Sequence, residues 1–151
     1  MSNWVRLFSN KISSFDDDFI FIAHSFGCLV ALKLVEKVDI KISDVVLVAC
    51  PKNKIEGCNL ESLWKKISDR KKDILTKFVE QDFDWDIIKS KIRNLNFFLL
   101  DDDFAIPYEE TLPYYKSIFP KASFKTFKNY GHFNRRNNIC ELPEVLEIIE
   151  K

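Results

Sequence analysis

The sequence contains little of what metal centres, membrane spans and secretory signals require. It has only 2 His and 4 Cys in 151 residues, and the cysteines show neither a CxxC pair nor metal-ligand spacing. No apolar run approaches the ~20 residues that cross a bilayer, and the N-terminus lacks the apolar segment of a secretory signal. We therefore expect a cytoplasmic protein with reduced thiols, no metal, no other cofactor and no membrane association.

The chain also lacks an excess of either charge. Its 23 Lys and Arg residues balance 23 Asp and Glu residues, which argues against a general nucleic-acid binder and a polybasic membrane-surface protein. One basic stretch, residues 65–72, is interrupted by Asp69, and we interpret it as the solvated face of a helix. Apolar residues are plentiful: 46% of the chain is hydrophobic and 14 residues are Phe, so we expect a core rich in rings.

Short apolar runs alternate with helical patterns along the chain. Four runs predict β-strands: Phe19–Ala23, Val45–Ala49, Asn96–Leu100 and Ser123–Phe127. The first three are almost continuously apolar, as in strands buried on both faces of a parallel sheet. Three helical patterns separate or follow the strands: Phe26–Glu36, Glu109–Phe119 and Leu142–Ile149. The alternation predicts one α/β domain, residues 1–151, around a mostly parallel sheet.

Residues 52–95 interrupt this alternation. We predict two helices there, one over Leu60–Val79 and a second that carries Trp85, Ile88 and Ile92. Two interpretations of the aromatic residues in this excursion stay open, a wall of the substrate pocket or part of the core. The residues concerned are Trp64, Phe78, Phe83 and Trp85.

The segment Ala23-His24-Ser25-Phe26-Gly27 follows the first strand and runs directly into a helix. It matches the G-x-S-x-G nucleophile elbow, with Ala in the first glycine position. Such a turn lifts the serine hydroxyl above the sheet and needs small residues two positions to either side. It also aims the N–H of Phe26 and the helix N-terminus at a developing oxyanion. A simple helix cap by Ser25 is the alternative interpretation.

Further residues stand where a base and an acid belong in the order Ser…Asp…His. His132 follows the last strand in a loop, whereas His24 precedes Ser25 on a sharp turn and is expected to be a structural, hydrogen-bonded histidine. Asp101–Asp103 follow the third strand, and one of these carboxylates is expected to orient His132. All of these residues come after the C-terminal ends of predicted strands, where open α/β sheets carry their sites. The arrangement predicts a serine hydrolase.

Four segments carry a family resemblance: residues 23–28 (AHSFGC), 83–89 (FDWDIIK), 102–107 (DDFAIP) and 130–133 (YGHF). They resemble the small α/β-hydrolases of the retinoblastoma-binding protein 9 / YdeN-like serine hydrolase family, whose motifs read approximately GHSLGC, DDPxxP and GHF in this order. The resemblance implies a three-layer α/β-hydrolase-type sandwich and hydrolysis of small esters, thioesters or amides through an acyl-enzyme.

Matched residue by residue, the resemblance implies that Ser25 is the nucleophile, His132 the base and Asp103 the acid, with Asp102 as the runner-up. The N–H of Phe26 is the implied oxyanion donor. The departures from the family pattern are Ala for the first glycine of the elbow and Phe104 for a proline.

The same resemblance implies that the N-terminal strands of the fold are missing. Family members begin with a strand and a His-Gly loop upstream of the position of Met1, and that loop supplies a second oxyanion N–H. Here a helical pattern that includes Val5, Phe8 and Ile12 directly precedes the first strand. Two hypotheses follow, an active hydrolase and a silent or split fragment that acts by binding a protein. The exposed edge of strand 19–23 is then expected to pair with an upstream fragment or another copy.

Overall fold

The computed structural model describes residues 2–12, 19–53, 68–133, 139 and 141–150. Its helices and strands in chain order are α1 Ser2–Ile12, β1 Ile20–His24, α2 Phe26–Lys37, β2 Ile42–Val48, α3 Asp69–Val79, α4 Trp85–Lys91, β3 Ile92–Leu100, α5 Tyr108–Ile118, β4 Ser123–Phe127 and α6 Leu146–Ile149, the last preceded by a 3₁₀ turn over Pro143–Val145. This order confirms the alternation of strands and helices that the sequence predicts.

The four strands form one parallel sheet in the order β1-β2-β3-β4. Ile22 of β1 lies beside Val46 of β2, and Val46 lies beside Asn96 of β3. In the part of the chain that the structure describes, β1 is therefore an edge strand with a single neighbour. The C-terminal ends of all four strands meet at one edge of the sheet, which is the edge where the candidate residues were predicted.

The two central strands are longer than their apolar runs. β2 begins at Ile42 and β3 at Ile92, because ladder pairing continues through polar residues such as Asp44 and Asn94 that interrupt the apolar pattern. β2 ends at Val48, since Ala49 has a φ of 49° and leaves the extended conformation. The sequence pattern thus locates the buried halves of these strands and misses their more polar beginnings.

Buried side chains on both faces of the sheet make a three-layer arrangement. Val45 and Leu47 of β2 face a core that includes residues of α1, α2, α4 and α5. Val46 and Val48, which alternate with them, face a smaller cluster closed by Val145 and neighbouring residues of the C-terminal segment. The alternation follows from the period of two along a strand. The predicted α/β sandwich is confirmed.

The excursion between β2 and β3 contains both expected helices, with two differences in bounds. Ile92, expected in the second helix, is instead the first residue of β3, because its backbone is extended (φ −98°, ψ 129°). Ser68 has an extended backbone (φ −66°, ψ 154°), so α3 begins at Asp69 rather than continuing a helix across this position. Residues 60–67 lie outside the described residues. Phe83 and Trp85 stack at 4.8 Å and pack against the larger core, which favours the core interpretation of these two rings. Trp64 and the side chain of Phe78 lie outside the described residues.

An apolar groove of about 650 Å³ runs along the outer edge of β1, between α1 and α2. Phe8, Phe21, Val30 and Leu34 are among its lining residues. On the other face of the same strand, Ile22 is 52% exposed. No helix among the described residues is both long and apolar enough to cross a membrane.

Candidate active site

Ser25 lies on a sharp turn between β1 and α2, held in an unusual backbone conformation. Its φ of 54° and ψ of −131° are sparsely populated for a non-glycine residue. The turn is fixed from inside the sheet, since Ser25 N–H donates to Val48 O at 2.9 Å and Ser25 O accepts from Cys28 N–H at 2.9 Å. The Ser25 side chain makes no capping hydrogen bond to the helix. The elbow interpretation therefore fits this turn, and the simple helix-cap interpretation does not.

Ser25, His132 and Asp103 form a continuous chain of hydrogen bonds. Ser25 Oγ lies 3.0 Å from His132 Nε2, and His132 Nδ1 lies 2.8 Å from Asp103 Oδ2. A carboxylate only accepts hydrogen bonds, so Nδ1 carries the proton and leaves the lone pair of Nε2 facing the serine hydroxyl. The side chain of Asp103 is only 1% exposed, whereas that of His132 is 15% exposed. The structure thus brings together the three residues matched to the triad.

The three aspartates after β3 have different surroundings. Asp103 Oδ1 accepts from the N–H groups of Ala105 and Ile106 at 2.8 and 3.1 Å, which holds its other oxygen toward His132. Asp102 Oδ1 accepts instead from backbone N–H groups of the loop that carries His132. Asp101 is exposed. The geometry places Asp103, not the runner-up Asp102, against the imidazole.

The loop that carries His132 is tethered by Asp102. Tyr130 N–H and Gly131 N–H donate to one carboxylate oxygen at 3.2 and 3.0 Å. Gly131 has a φ of 54°, a left-handed conformation that glycine adopts without a steric penalty. Sequence reasoning considered Asp102 as an acid and missed this role, because no local pattern connects Asp102 with a loop 28–29 residues away.

The N–H of Phe26 is the first amide of α2 and has no acceptor within the helix, as for every first-turn amide. Such an amide, together with the positive end of the helix dipole, can donate to an anion. The turn was expected to need a small residue at Gly27. A Cβ placed on it has no atom of the described residues within 4 Å, so its backbone makes no close approach in this part of the chain.

Two buried cysteines lie behind the elbow. Cys28 Sγ lies 3.3 Å from Ala23 O and 3.4 Å from Val48 O, the same carbonyl that anchors Ser25. Burial raises the pKa of the Cys28 thiol well above its ordinary value, so it stays protonated and donates. Cys50 is also a free buried thiol and lies 3.1 Å from Tyr115 Oη. Neither sulfur contacts the Ser25 hydroxyl, and sequence reasoning did not anticipate the role of Cys28.

The described residues contain no group of three or more His, Cys, Asp or Glu side chains that could hold a metal ion. His24, which was expected to be structural, donates from Nε2 to the backbone oxygen of His132 at 3.0 Å. The arrangement at this edge is a hydroxyl, an imidazole and a buried carboxylate in series, beside a helix N-terminus. Such a set can activate a hydroxyl nucleophile and shuttle its proton without a metal.

Comparison with solved structures shows the α/β-hydrolase fold. The chain is similar to YdeN from B. subtilis (TM-score 0.78, 18% identity), covering 99% of this chain and 73% of YdeN. It is similar to a YdeN-like hydrolase from Pectobacterium atrosepticum (TM-score 0.62, 18% identity, 98% and 66% covered). It is also similar to a carboxylesterase structure from Nitrososphaera gargenis (TM-score 0.67, 9% identity, 99% and 70% covered). At these identities the likeness concerns the fold, and each of the three structures extends beyond the part that the chain matches.

Comparison with curated proteins gave no match. The model of the family described as "Serine hydrolase" matches residues 1–151, the whole chain. With the hydrolase fold and the serine at its elbow already described, this match identifies the chain as a member of the serine hydrolase family.

Proposed function

We propose that the chain hydrolyses small esters, thioesters or amides through an acyl-enzyme on Ser25. The observation that carries the proposal is the unbroken hydrogen-bond chain from Ser25 Oγ through His132 to Asp103. Hydrogen bonds of 2.8–3.0 Å are within the reach needed for proton transfer. Small-molecule substrates fit the serine hydrolase family to which the chain belongs.

In the acylation step, Ser25 Oγ attacks the substrate carbonyl carbon while its proton moves to His132 Nε2. Asp103 stabilises the imidazolium that results. The carbonyl oxygen becomes an oxyanion, and the Phe26 N–H is placed to donate to it. Collapse of the tetrahedral intermediate breaks the bond to the leaving group, which takes the proton from His132.

Deacylation repeats these events with water as the nucleophile. His132 Nε2 removes a proton from the water that attacks the acyl-Ser25 carbonyl carbon, and the same proton then returns to Ser25 Oγ as the acid product leaves. His132 is therefore both base and acid in the proposal. The required groups are side chains and one backbone amide, and no cofactor enters the step.

A fluorophosphonate probe tests this proposal directly, because it phosphonylates an activated serine and releases fluoride. We expect the wild-type chain to be labelled on the peptide that contains Ser25, as measured by mass spectrometry. Ser25→Ala should remove the label, whereas Ser117→Ala, which changes a helix serine bonded to Tyr114 O, should not. A folded wild-type chain that is neither labelled nor able to cleave 4-nitrophenyl acetate would favour the silent-fragment hypothesis.

We also propose that a further β-strand pairs along the outer edge of β1. The run Ile20–His24 has no charge, proline or bulge of the kind that protects natural edges, and an apolar groove lies beside it. The chain spans 73% of YdeN, so a segment equivalent to the remainder is the proposed occupant. In the family that the chain resembles, the loop after the first strand supplies the second oxyanion N–H. In the proposed pairing, that loop would lie beside Ser25.

Co-expression with such a segment tests the edge pairing. We expect one complex by gel filtration and a faster turnover of 4-nitrophenyl acetate than with the chain alone, since one oxyanion donor typically contributes ~10²–10³ in kcat. A stable homodimer would assign the edge to a second copy instead. A monodisperse, fully active monomer would contradict the proposal.

We propose that the protein is cytoplasmic, because the two described cysteines are reduced. Cys28 and Cys50 are free and buried, as expected in a reducing compartment. The test is alkylation of denatured protein taken directly from cells without reductant. Four modified cysteines are expected, and an oxidised pair would contradict the proposal.

A further inference from the structure

The second histidine of the chain contacts the first, although the two are 108 residues apart. His24 is the last residue of β1, and its Nε2 lies 3.0 Å from the backbone oxygen of His132. The centroids of the two imidazole rings are 4.9 Å apart, and the centroid of the Phe133 ring lies 6.3 Å from that of His24. A side chain of β1, the strand that precedes Ser25, thus forms a hydrogen bond with the residue proposed as the base.

The hydrogen bond fixes the tautomer of His24. A backbone carbonyl only accepts, so His24 Nε2 must carry a proton. Burial and the neighbouring His132 lower the pKa of His24 from its ordinary value of 6.5. The hydrogen bond that His24 donates to the His132 backbone oxygen and the charge of Asp103 oppose this shift in part. Near neutral pH the ring is therefore uncharged, with its proton on Nε2.

The tethers on the His132 loop act at different points. Asp102 holds the amides of Tyr130 and Gly131, which precede the imidazole, and Phe133 N–H closes a turn onto Tyr130 O at 3.1 Å. The bond from His24 acts on His132 itself. It also joins the loop to the residue next to Ser25, so the two ends of the Ser25–His132 hydrogen bond are connected through a single side chain.

We propose that His24 is a positioning residue, which sets the distance between Ser25 Oγ and His132 Nε2 by holding the backbone of His132 to the end of β1. The inference rests on the proposed hydrolase function for its kinetic consequence. Its neutrality matters too, because a second positive charge 4.9 Å away would oppose the imidazolium that forms on His132 during acylation.

Two substitutions distinguish the effect of the His24 hydrogen bond from the effect of packing by its ring. His24→Gln keeps an N–H donor at nearly the same reach and loses the ring, whereas His24→Phe keeps a ring against His132 and Phe133 and loses the donor. We expect His24→Phe to lower kcat for 4-nitrophenyl acetate by about 10- to 100-fold with little change in KM, because a misplaced base slows the chemical step. His24→Gln should recover most of that loss. Thermal unfolding of both variants controls for folding.

Other kinetic outcomes count against the proposal. Full activity in His24→Phe with loss in His24→Gln would assign the residue to ring packing. Equal loss in both, or no loss in either, would show that the donor does not position the base.

An NMR measurement tests the tether without any activity. The chain has only 2 His, so ¹⁵N-imidazole signals can be assigned with His24→Gln and His132→Gln alone. We expect His24 to be neutral at pH 7 with its proton on Nε2, and to titrate below pH 6.5. A proton on Nδ1 would overturn the inference. A wild-type chain that shows the expected NMR pattern but neither reacts with the fluorophosphonate probe nor cleaves 4-nitrophenyl acetate would refute the hydrolase proposal. The hydrogen bond from His24 to His132 would still be supported.

Discussion

The inner and outer sides of β1 differ sharply, although both belong to one five-residue strand. On the inner side, all five residues pair with β2, and the turn that follows is bonded to Val48 O. On the outer side lies an apolar groove, and no described strand pairs there. Ile22 is 52% exposed while its cross-strand neighbour Val46 is fully buried.

The candidate site is assembled on the inner side of β1. The bonds that hold Ser25, His132 and Asp103 come from the end of β1, from β2 and α2, and from the loops after β3 and β4. None of these bonds requires a neighbour on the outer side of β1. The triad geometry and the completeness of the sheet are therefore separable properties of this chain.

The largest effect is expected at Asp103. Asp103→Asn replaces an acceptor of the His132 Nδ1 proton with a group that can donate, which favours the wrong tautomer. We expect kcat to fall by about 10³- to 10⁴-fold. Asp102→Asn should cost much less, because this residue acts through the loop backbone, and Asp101→Asn should have almost no effect. The measurement is 4-nitrophenyl acetate turnover, and a larger loss at Asp102 would move the acid role there.

Much of this site was predictable because its residues are constrained by local geometry. A serine on a strand-to-helix turn needs a short pattern, and AHSFG after an apolar run supplies it. The pairing of Asp103 rather than Asp102 with His132 was predictable only from the resemblance. Which of two adjacent carboxylates faces a ring depends on backbone direction, and here the N–H groups of Ala105 and Ile106 decide it.

Other features depend on distant parts of the chain and left no local signal. The bond from His24 to His132 O joins residues 108 apart. In the sequence, nothing distinguishes Cys28 from the other small apolar residues of α2. Only the folded chain shows that its thiol contacts Val48 O. The starts of β2 and β3 were missed because polar residues interrupt the apolar pattern while backbone pairing continues.

A matched pair of charge substitutions compares the two sides of β1 directly. Val46→Asp buries a carboxylate without a partner and should reduce the free energy of unfolding by several kcal/mol, enough to unfold a marginal domain. Ile22→Asp, on the same face of the neighbouring strand, should cost about 1 kcal/mol or less, because half of that side chain is already exposed. Urea titration followed by circular dichroism measures both. Similar losses at the two positions would show that the outer strand is covered in solution.

A smaller effect is expected at Cys28, which links the elbow to the inner side. Cys28→Ala removes the contacts of the sulfur with Ala23 O and Val48 O and leaves a small cavity. We expect a loss of about 1–2 kcal/mol in stability and slower fluorophosphonate labelling of Ser25. Cys28→Ser keeps a donor and is the control. Unchanged labelling in a destabilised Cys28→Ala variant would show that the thiol supports the core and not the elbow.

The smallest effect concerns the pH dependence of stability at His24. Burial and the neighbouring His132 lower its pKa in the folded chain, so the unfolded chain takes up this proton at a higher pH than the folded chain does. The unfolded state is therefore favoured as pH falls through the ordinary histidine range. The contribution of His24 to stability is fully present above pH 6.5 and is lost as the pH falls from there toward the lower pKa of His24 in the folded chain. His24→Gln removes this one group while leaving His132, so its stability should fall less steeply between pH 7.5 and 5. Denaturant titrations across that range measure the two slopes. A steeper fall in His24→Gln than in the wild-type chain would mean that the folded protein holds His24 charged. That result would contradict the neutrality of His24 but not its hydrogen bond to His132, because a charged ring also donates from Nε2.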